Sequence, residues 1–217
     1  MKKIKVISTI ILIGVLFVGL FGFTNKEKDS ETNVKVTQPV SACETTKECE
    51  PKLTVRYISL GVPSINSSFK TWMSYKAVTN KNSPQYKFIH TWGWVDNEGF
   101  MRCSGERDLG IDQDYYLVAL GSYYGTTIGT KYRITLNTGK VFYAALADCK
   151  ANRHTNSTNQ YVPKNGNVVE FLVDTSKLNK NVKIMGSANV YEPLNGSVIK
   201  IEKIDFIKVE ELNFIKK

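Results

Sequence analysis

Between Tyr116 and Asp174 the chain alternates apolar β-type runs with glycine-rich or polar loops, and no other stretch constrains the fold as much. The run from Tyr115 to Leu120, YYLVAL, has no polar alternation, the pattern of a strand buried on both faces. KYRITL alternates instead, with Tyr132, Ile134 and Leu136 facing one way and Lys131, Arg133 and Thr135 the other. NTGK, Asn137 to Lys140, reads as a hairpin turn in which Gly139 supplies positive φ. VFYAALAD is a further apolar run that leads into Asp148, and NVVEFLVD is again a buried β-type run. GSYYGTTIG, with glycines at 121, 125 and 129, reads as a loop because Ser, Tyr and Thr fill its gaps. The polar segment from Cys149 to Asn165 has no structural period.

The flanking sequence adds more short strands. VRYISLGV is a β-type run stopped by Pro63. FKTWMSYKAVT, Phe69 to Thr79, alternates as a strand, with Phe69, Thr71, Met73 and Tyr75 on one side. YKFIHTWGWV is rich in aromatics and predicts another strand, followed by a tight turn at Asp96–Gly99. KLNKNVKIMGSANVY shows no stable pattern, and the tail FIKVEELNFIKK suits a short helix or a last strand. Six to eight short strands with little helix predict an all-β chain, a small barrel rather than a sandwich.

Ahead of this domain, Lys2, Lys3 and Lys5 precede an uncharged apolar run from Val6 to Phe23. That run is long enough for a membrane anchor and is also compatible with a cleaved signal peptide; both place the remainder outside the cytoplasm. Residues 25–53 are polar and aperiodic and read as a flexible linker, so residues 1–24 are the signal or anchor and 54–217 the folded domain. The net charge of +9 suits an anionic polymer, but the Lys residues are scattered and no nucleic-acid-binding motif is present. Cys43, Cys49, Cys103 and Cys149 show no CxxC spacing, and their pairing stays open between disulfides and free thiols. With only His90 and His154 as histidines, neither a metal nor any other cofactor is expected.

Two carboxylates carry the candidate chemistry. Asp148 ends the apolar run of Ala144 to Ala147, where desolvation favours a protonated carboxyl able to protonate a leaving oxygen; the plainer role is a turn cap. Glu170 stands between Val169 and Phe171, where a charge is costly unless paired or used, or unless it points outward. Together they have the character of a glycosidic acid and base pair. His154 and Thr155 follow in the polar loop, and Tyr123, Tyr124, Trp92 and Trp94 can stack on sugars or pack in the core. Cys149 is close in sequence to His154, but adjacency is not a nucleophile–base geometry.

The order LVALGSYYGTTIGTKYRITLNTGKVFYAALADCKA…NVVEFLVD resembles the three-aspartate (3D) domain of Gram-positive cell-wall proteins. That family sits with the double-psi β-barrels, alongside MltA-type lytic transglycosylases and RlpA-like domains. The matching features are Val118–Leu120, Ile128-Gly129-Thr130, Tyr132–Leu136, Gly139, Ala147-Asp148 and Val169-Glu170. The family's first aspartate falls on Gly121 and its third on Glu170, while Asp148 matches the second. The resemblance implies a small six-stranded double-psi β-barrel acting on peptidoglycan or another cell-wall glycan; the membrane, as a second partner, follows from the N-terminal apolar run alone. It implies a lytic transglycosylase in which Asp148 is acid and then base, supported by Glu170. Thr71 and Tyr75, on what resembles the family's opening strand, would line the sugar groove with Tyr123, His154 and Thr155. A non-catalytic glycan-binding or structural module on the same barrel is the alternative.

Overall fold

The computed structural model describes residues 52–208; the apolar run at Val6–Phe23, Cys43 and Cys49 lie outside the described residues. Among the described residues no helix is long and apolar enough to cross a membrane. In chain order the strands are β1 (Leu53–Leu60), β2 (Trp72–Ser74), β3 (Trp94–Val95), β4 (Met101–Cys103), β5 (Tyr115–Leu120), β6 (Lys131–Leu136), β7 (Val141–Cys149), β8 (Glu170–Val173) and β9 (Val198–Lys208). Two short α-helices, α1 (Pro84–Trp92) and α2 (Lys180–Met185), and six 3₁₀ turns complete the regular structure of the described residues.

All nine strands join one mixed sheet in the order β1-β9-β6-β7-β5-β4-β3. β8 pairs antiparallel with the end of β5 and parallel with β2, and β5 pairs parallel with β7. The expected all-β character holds, but the sheet has nine strands where six were expected. β3 and β4 run for only two and three residues, too short for a period-2 pattern to register.

β5 and β7 explain why their sequences lack alternation. Tyr116, Val118 and Leu120 of β5 join one apolar cluster with Phe142, Ala144 and Leu146 of β7. Tyr115, Leu117 and Ala119 join a second cluster with Ala145 and Ala147. β6 alternates as expected, with Tyr132, Ile134 and Leu136 wholly buried. The hairpin to β7 also forms as expected, with Gly139 at φ +82°. Phe171 anchors the first cluster edge-on to Phe100 and Tyr116, at 5.4 and 5.3 Å between ring centroids.

Two expected strands are corrected. YKFIHTWGWV is mostly α1 because Ser83 caps the helix, its Oγ accepting from Tyr86 N at 3.1 Å, and Pro84 preorganises the first turn. Phe69–Thr79 keeps only β2 as strand, because Ser74 Oγ accepts from Lys76 N and starts a 3₁₀ turn over Tyr75–Ala77. The patternless KLNKNVKIMG contains α2, capped by the Asn179 side chain and ended by Gly186 at φ +64°. The tail is strand β9 as far as Lys208.

Lys70 is the one wholly buried lysine among the described residues. Its Nζ donates to Ser68 O at 3.1 Å, to Asn189 Oδ1 at 3.4 Å and to Gly196 O, so it ties three loops together without a carboxylate. Burial pushes its amine down to about 8. The unfolded chain therefore binds more protons at this site above that pH, and the site's contribution to stability rises with pH until the free amine's ordinary pKa is reached.

Two outcomes follow from the packing. Phe171→Ala lowers unfolding free energy by about 3–5 kcal/mol in urea titrations, whereas Ile199→Ala, on the exposed face of β9, stays within about 0.5 kcal/mol. In paired urea titrations between pH 8 and pH 10, the stability of the parent rises relative to Lys70→Met; a constant difference between the two rules out the depressed amine.

Candidate active site

One sheet row brings the candidate chemistry together. Ala119 of β5 pairs with Asp148 of β7 on one side and with Glu170 of β8 on the other. Thr71 precedes β2 beside Glu170, its carbonyl accepting from Phe171 N at 2.9 Å. Two strand spacings separate the Asp148 and Glu170 backbones, about 10 Å. The row opens on a cleft of about 410 Å³ lined by Thr71, Ala119, Asp148, Lys150, His154 and Glu170, with Asn165 and Asn167 on its wall.

A β-bulge aims Asp148. The β5–β7 register runs Val118↔Leu146 and then Ala119↔Asp148, so Ala147 is the extra residue. Without it, Asp148 would follow Leu146 into the first apolar cluster. With it, Asp148 turns to the face of Ala119, where the cleft lies. Cys149 then pairs with Leu120 and packs against the first cluster. Lys150, whose backbone N donates to Leu120 O at 2.9 Å, returns to the Asp148 face.

Asp148 Oδ1 accepts from Cys149 N at 2.9 Å, so the backbone cap and the cleft position coexist. Neither Asp148 nor Glu170 has a salt bridge among the described residues. Asn167 braces the far wall: its Oδ1 accepts from Thr71 N at 3.3 Å and its Nδ2 donates to Thr71 Oγ1. His154 sits exposed on a 3₁₀ turn, its Nε2 accepting from Arg153 Nε at 3.2 Å.

Lys150 escaped the sequence reading. It is 8% exposed, yet it lines the cleft, and its Nζ crosses to Asn167 O at 3.1 Å. Burial pushes the amine down to about 8, partly opposed by attraction to Glu170. Its position two residues after Asp148 was the available signal, since i and i+2 share a strand face.

The other candidates lie elsewhere. Tyr75 packs against the second cluster, near His90. Tyr123 is exposed and edge-on to Tyr124, away from the cleft. Thr155 Oγ1 bonds Asn152 O and Asn159 Oδ1, each at 2.9 Å, and serves the loop rather than the cleft. None of these three lines the cleft, although Thr155 directly follows the 3₁₀ turn that carries His154. Trp92 and Trp94 are exposed. Cys103 and Cys149 are free thiols, and burial together with the Asp148 charge pushes the Cys149 thiol up, against a thiolate nucleophile. Among the described residues no group of His, Cys, Asp and Glu is placed to hold a metal ion.

The long loop after β7 folds back on Gly121. A Cβ there would stand 2.0 Å from Asn159 O. Gly121 has φ −66°, open to any residue, so it is space and not backbone conformation that requires glycine. Asn159 itself takes φ +56° to make the approach. No protein-family model matches the chain, and no curated protein or solved structure shows significant similarity to it.

Gly121→Ala lowers stability by about 2 kcal/mol and loosens the Asn156–Tyr161 turn, read as faster proteolytic nicking at that turn. Unchanged stability with an intact turn contradicts the close approach.

Proposed function

We propose that this chain is an extracytoplasmic peptidoglycan-acting protein, a lytic transglycosylase-like enzyme of the double-psi β-barrel type. The observation that carries the proposal is the placement of Asp148 and Glu170 on either side of Ala119, open to one cleft that also holds Thr71 and His154. Two parallel pairs, β5–β7 and β2–β8, within an otherwise antiparallel sheet support the barrel assignment. The N-terminal apolar run, kept as an anchor or removed as a signal, delivers the domain to the wall of a Gram-positive cell. The net charge of +9 suits the anionic polymers there.

In this mechanism the glycan lies along the row, with the bond between N-acetylmuramic acid and N-acetylglucosamine over Ala119. Asp148 transfers a proton to the glycosidic oxygen as the bond to the anomeric carbon breaks. The carboxylate left behind removes the proton of the muramic C6 hydroxyl, whose oxygen closes on the same carbon. The products are a 1,6-anhydro sugar and a free hydroxyl, and no water is consumed. Glu170 faces the positive charge that develops on the ring and stabilises it. Thr71, held by Asn167, and His154 contact the flanking sugars.

One observation favours a second reading, a glycan-binding module without cleavage. The turn at Asn159 fills the space beside Gly121, where the resembled family carries its first aspartate.

Purified protein incubated with peptidoglycan releases 1,6-anhydro-muropeptides, read by liquid chromatography and mass spectrometry. Asp148→Asn lowers that release by at least about 100-fold. Absent release together with co-sedimentation on the same wall preparation leaves the binding module. Absence of both removes the two readings together.

A further inference from the structure

Lys150 occupies a position that the proposed mechanism leaves unused. The side chain emerges from the end of β7 on the face of Asp148 and crosses the end of β5. It reaches Asn167, three residues before Glu170, at 3.1 Å. Its amine therefore lies across the cleft floor between the strand that carries one carboxylate and the strand that carries the other. An ammonium has three N–H donors, and Asn167 O takes one. The residue is more than nine-tenths buried yet lines the cleft, and Asn167 O is the one hydrogen-bond partner of its Nζ among the described residues, which leaves two donors for a ligand.

The charged groups around it are few. Asp148, His154 and Cys149, which also packs against the first apolar cluster, come from its own segment and Glu170 from β8. β5 contributes only Ala119, and the segment before β8 contributes Asn165 and Asn167, which do not titrate. A buried ammonium without a bonded carboxylate gives up its proton more readily than a solvated lysine.

Resting on the glycan-cleaving reading of the same cleft, we infer that Lys150 is a second catalytic residue, the donor of the proton that reaches the leaving oxygen, with Asp148 serving as the base. The step balances without water or an oxidant. Asp148 takes the proton of the C6 hydroxyl, and that oxygen forms its bond to the anomeric carbon. The electron pair of the glycosidic bond passes to the leaving oxygen, which takes a proton from Lys150. Lys150 is left as a neutral amine and Asp148 as a carboxylic acid; a proton passing from Asp148 to Lys150 resets both. The proton work assigned above to Asp148 alone is thereby divided between two groups suited to opposite halves of it. The depressed amine, at about 8, stays largely protonated at neutral pH while donating more easily than an ordinary lysine.

The test combines kinetics with a measurement that needs no substrate. Lys150→Arg keeps the positive charge but cannot donate near neutrality, and Lys150→Met keeps the length without charge. Both are expected to lower kcat for anhydro-muropeptide release by about 100-fold or more, with KM changed by less than about threefold. The parent's kcat falls as pH rises through about 8, and this basic limb disappears from the residual activity of Lys150→Arg. Separately, the rate of acetylation of Lys150 by acetic anhydride, followed by mass spectrometry, reaches half its maximum near pH 8, and at lower pH in Glu170→Gln. Unreduced kcat in Lys150→Arg overturns the inference and leaves the glycan-cleaving function intact. An amine that becomes reactive only above pH 10 also overturns it. Should the parent release no anhydro product, the glycan-cleaving function fails and the inference falls with it.

Discussion

Strand β5 is the constraint on which the rest of the domain depends. Its six residues are all buried, and it carries hydrogen bonds to β7 along one edge and to β4 and then β8 along the other. A strand covered on both faces has no solvent-facing side to relax into, so a shift of one residue would exchange two apolar clusters at once. That rigidity makes Ala119 a fixed reference point. Asp148 and Glu170 are partners of the same residue, and the distance between their backbones is set by strand spacing rather than by loops.

The bulge at Ala147 converts this rigid frame into a site. Regular pairing would direct Asp148 toward Leu146's cluster, where an unpaired carboxylate would be costly. One extra residue turns it to the cleft and places Lys150 on the same face. Nearby apolar packing then does chemical work: it removes water from Lys150 and lowers its proton affinity, while Glu170 on the facing strand limits the fall. Lys70 shows the same desolvation in a different setting. Its three carbonyl and amide partners close around it, so that amine serves to join loops.

Several features were legible in the chain because they are local. The continuous apolar run of β5, the alternation of β6 and the Asn-Thr-Gly-Lys hairpin each follow from neighbours a few residues apart. Asp148 could be singled out because it ends an apolar run. The helix α1 was masked because Tyr86, Phe88, Ile89 and Trp92 carry strand-type propensity; the Ser83 cap and Pro84 decided otherwise. Tyr75, Tyr123 and Thr155 looked equivalent to Thr71 and His154 in composition, yet only the latter two stand on the cleft. Lys150 carried only the faint signal of its i+2 spacing from Asp148, which a lysine in a polar loop, ordinarily solvated, does not make conspicuous.

By itself the sequence determined that this chain builds a β-rich domain around apolar runs too uniform for a one-sided sheet, and that Asp148 and Glu170 stand at strand ends. Burial and periodicity are near-neighbour properties, and they survive in one dimension. Only the tertiary structure decided that the two carboxylates share a row, that Lys150 lies between their strands, and that Gly121 has room for no side chain. Those facts depend on pairings between residues tens of positions apart, and on a single bulge that reverses which way one strand faces.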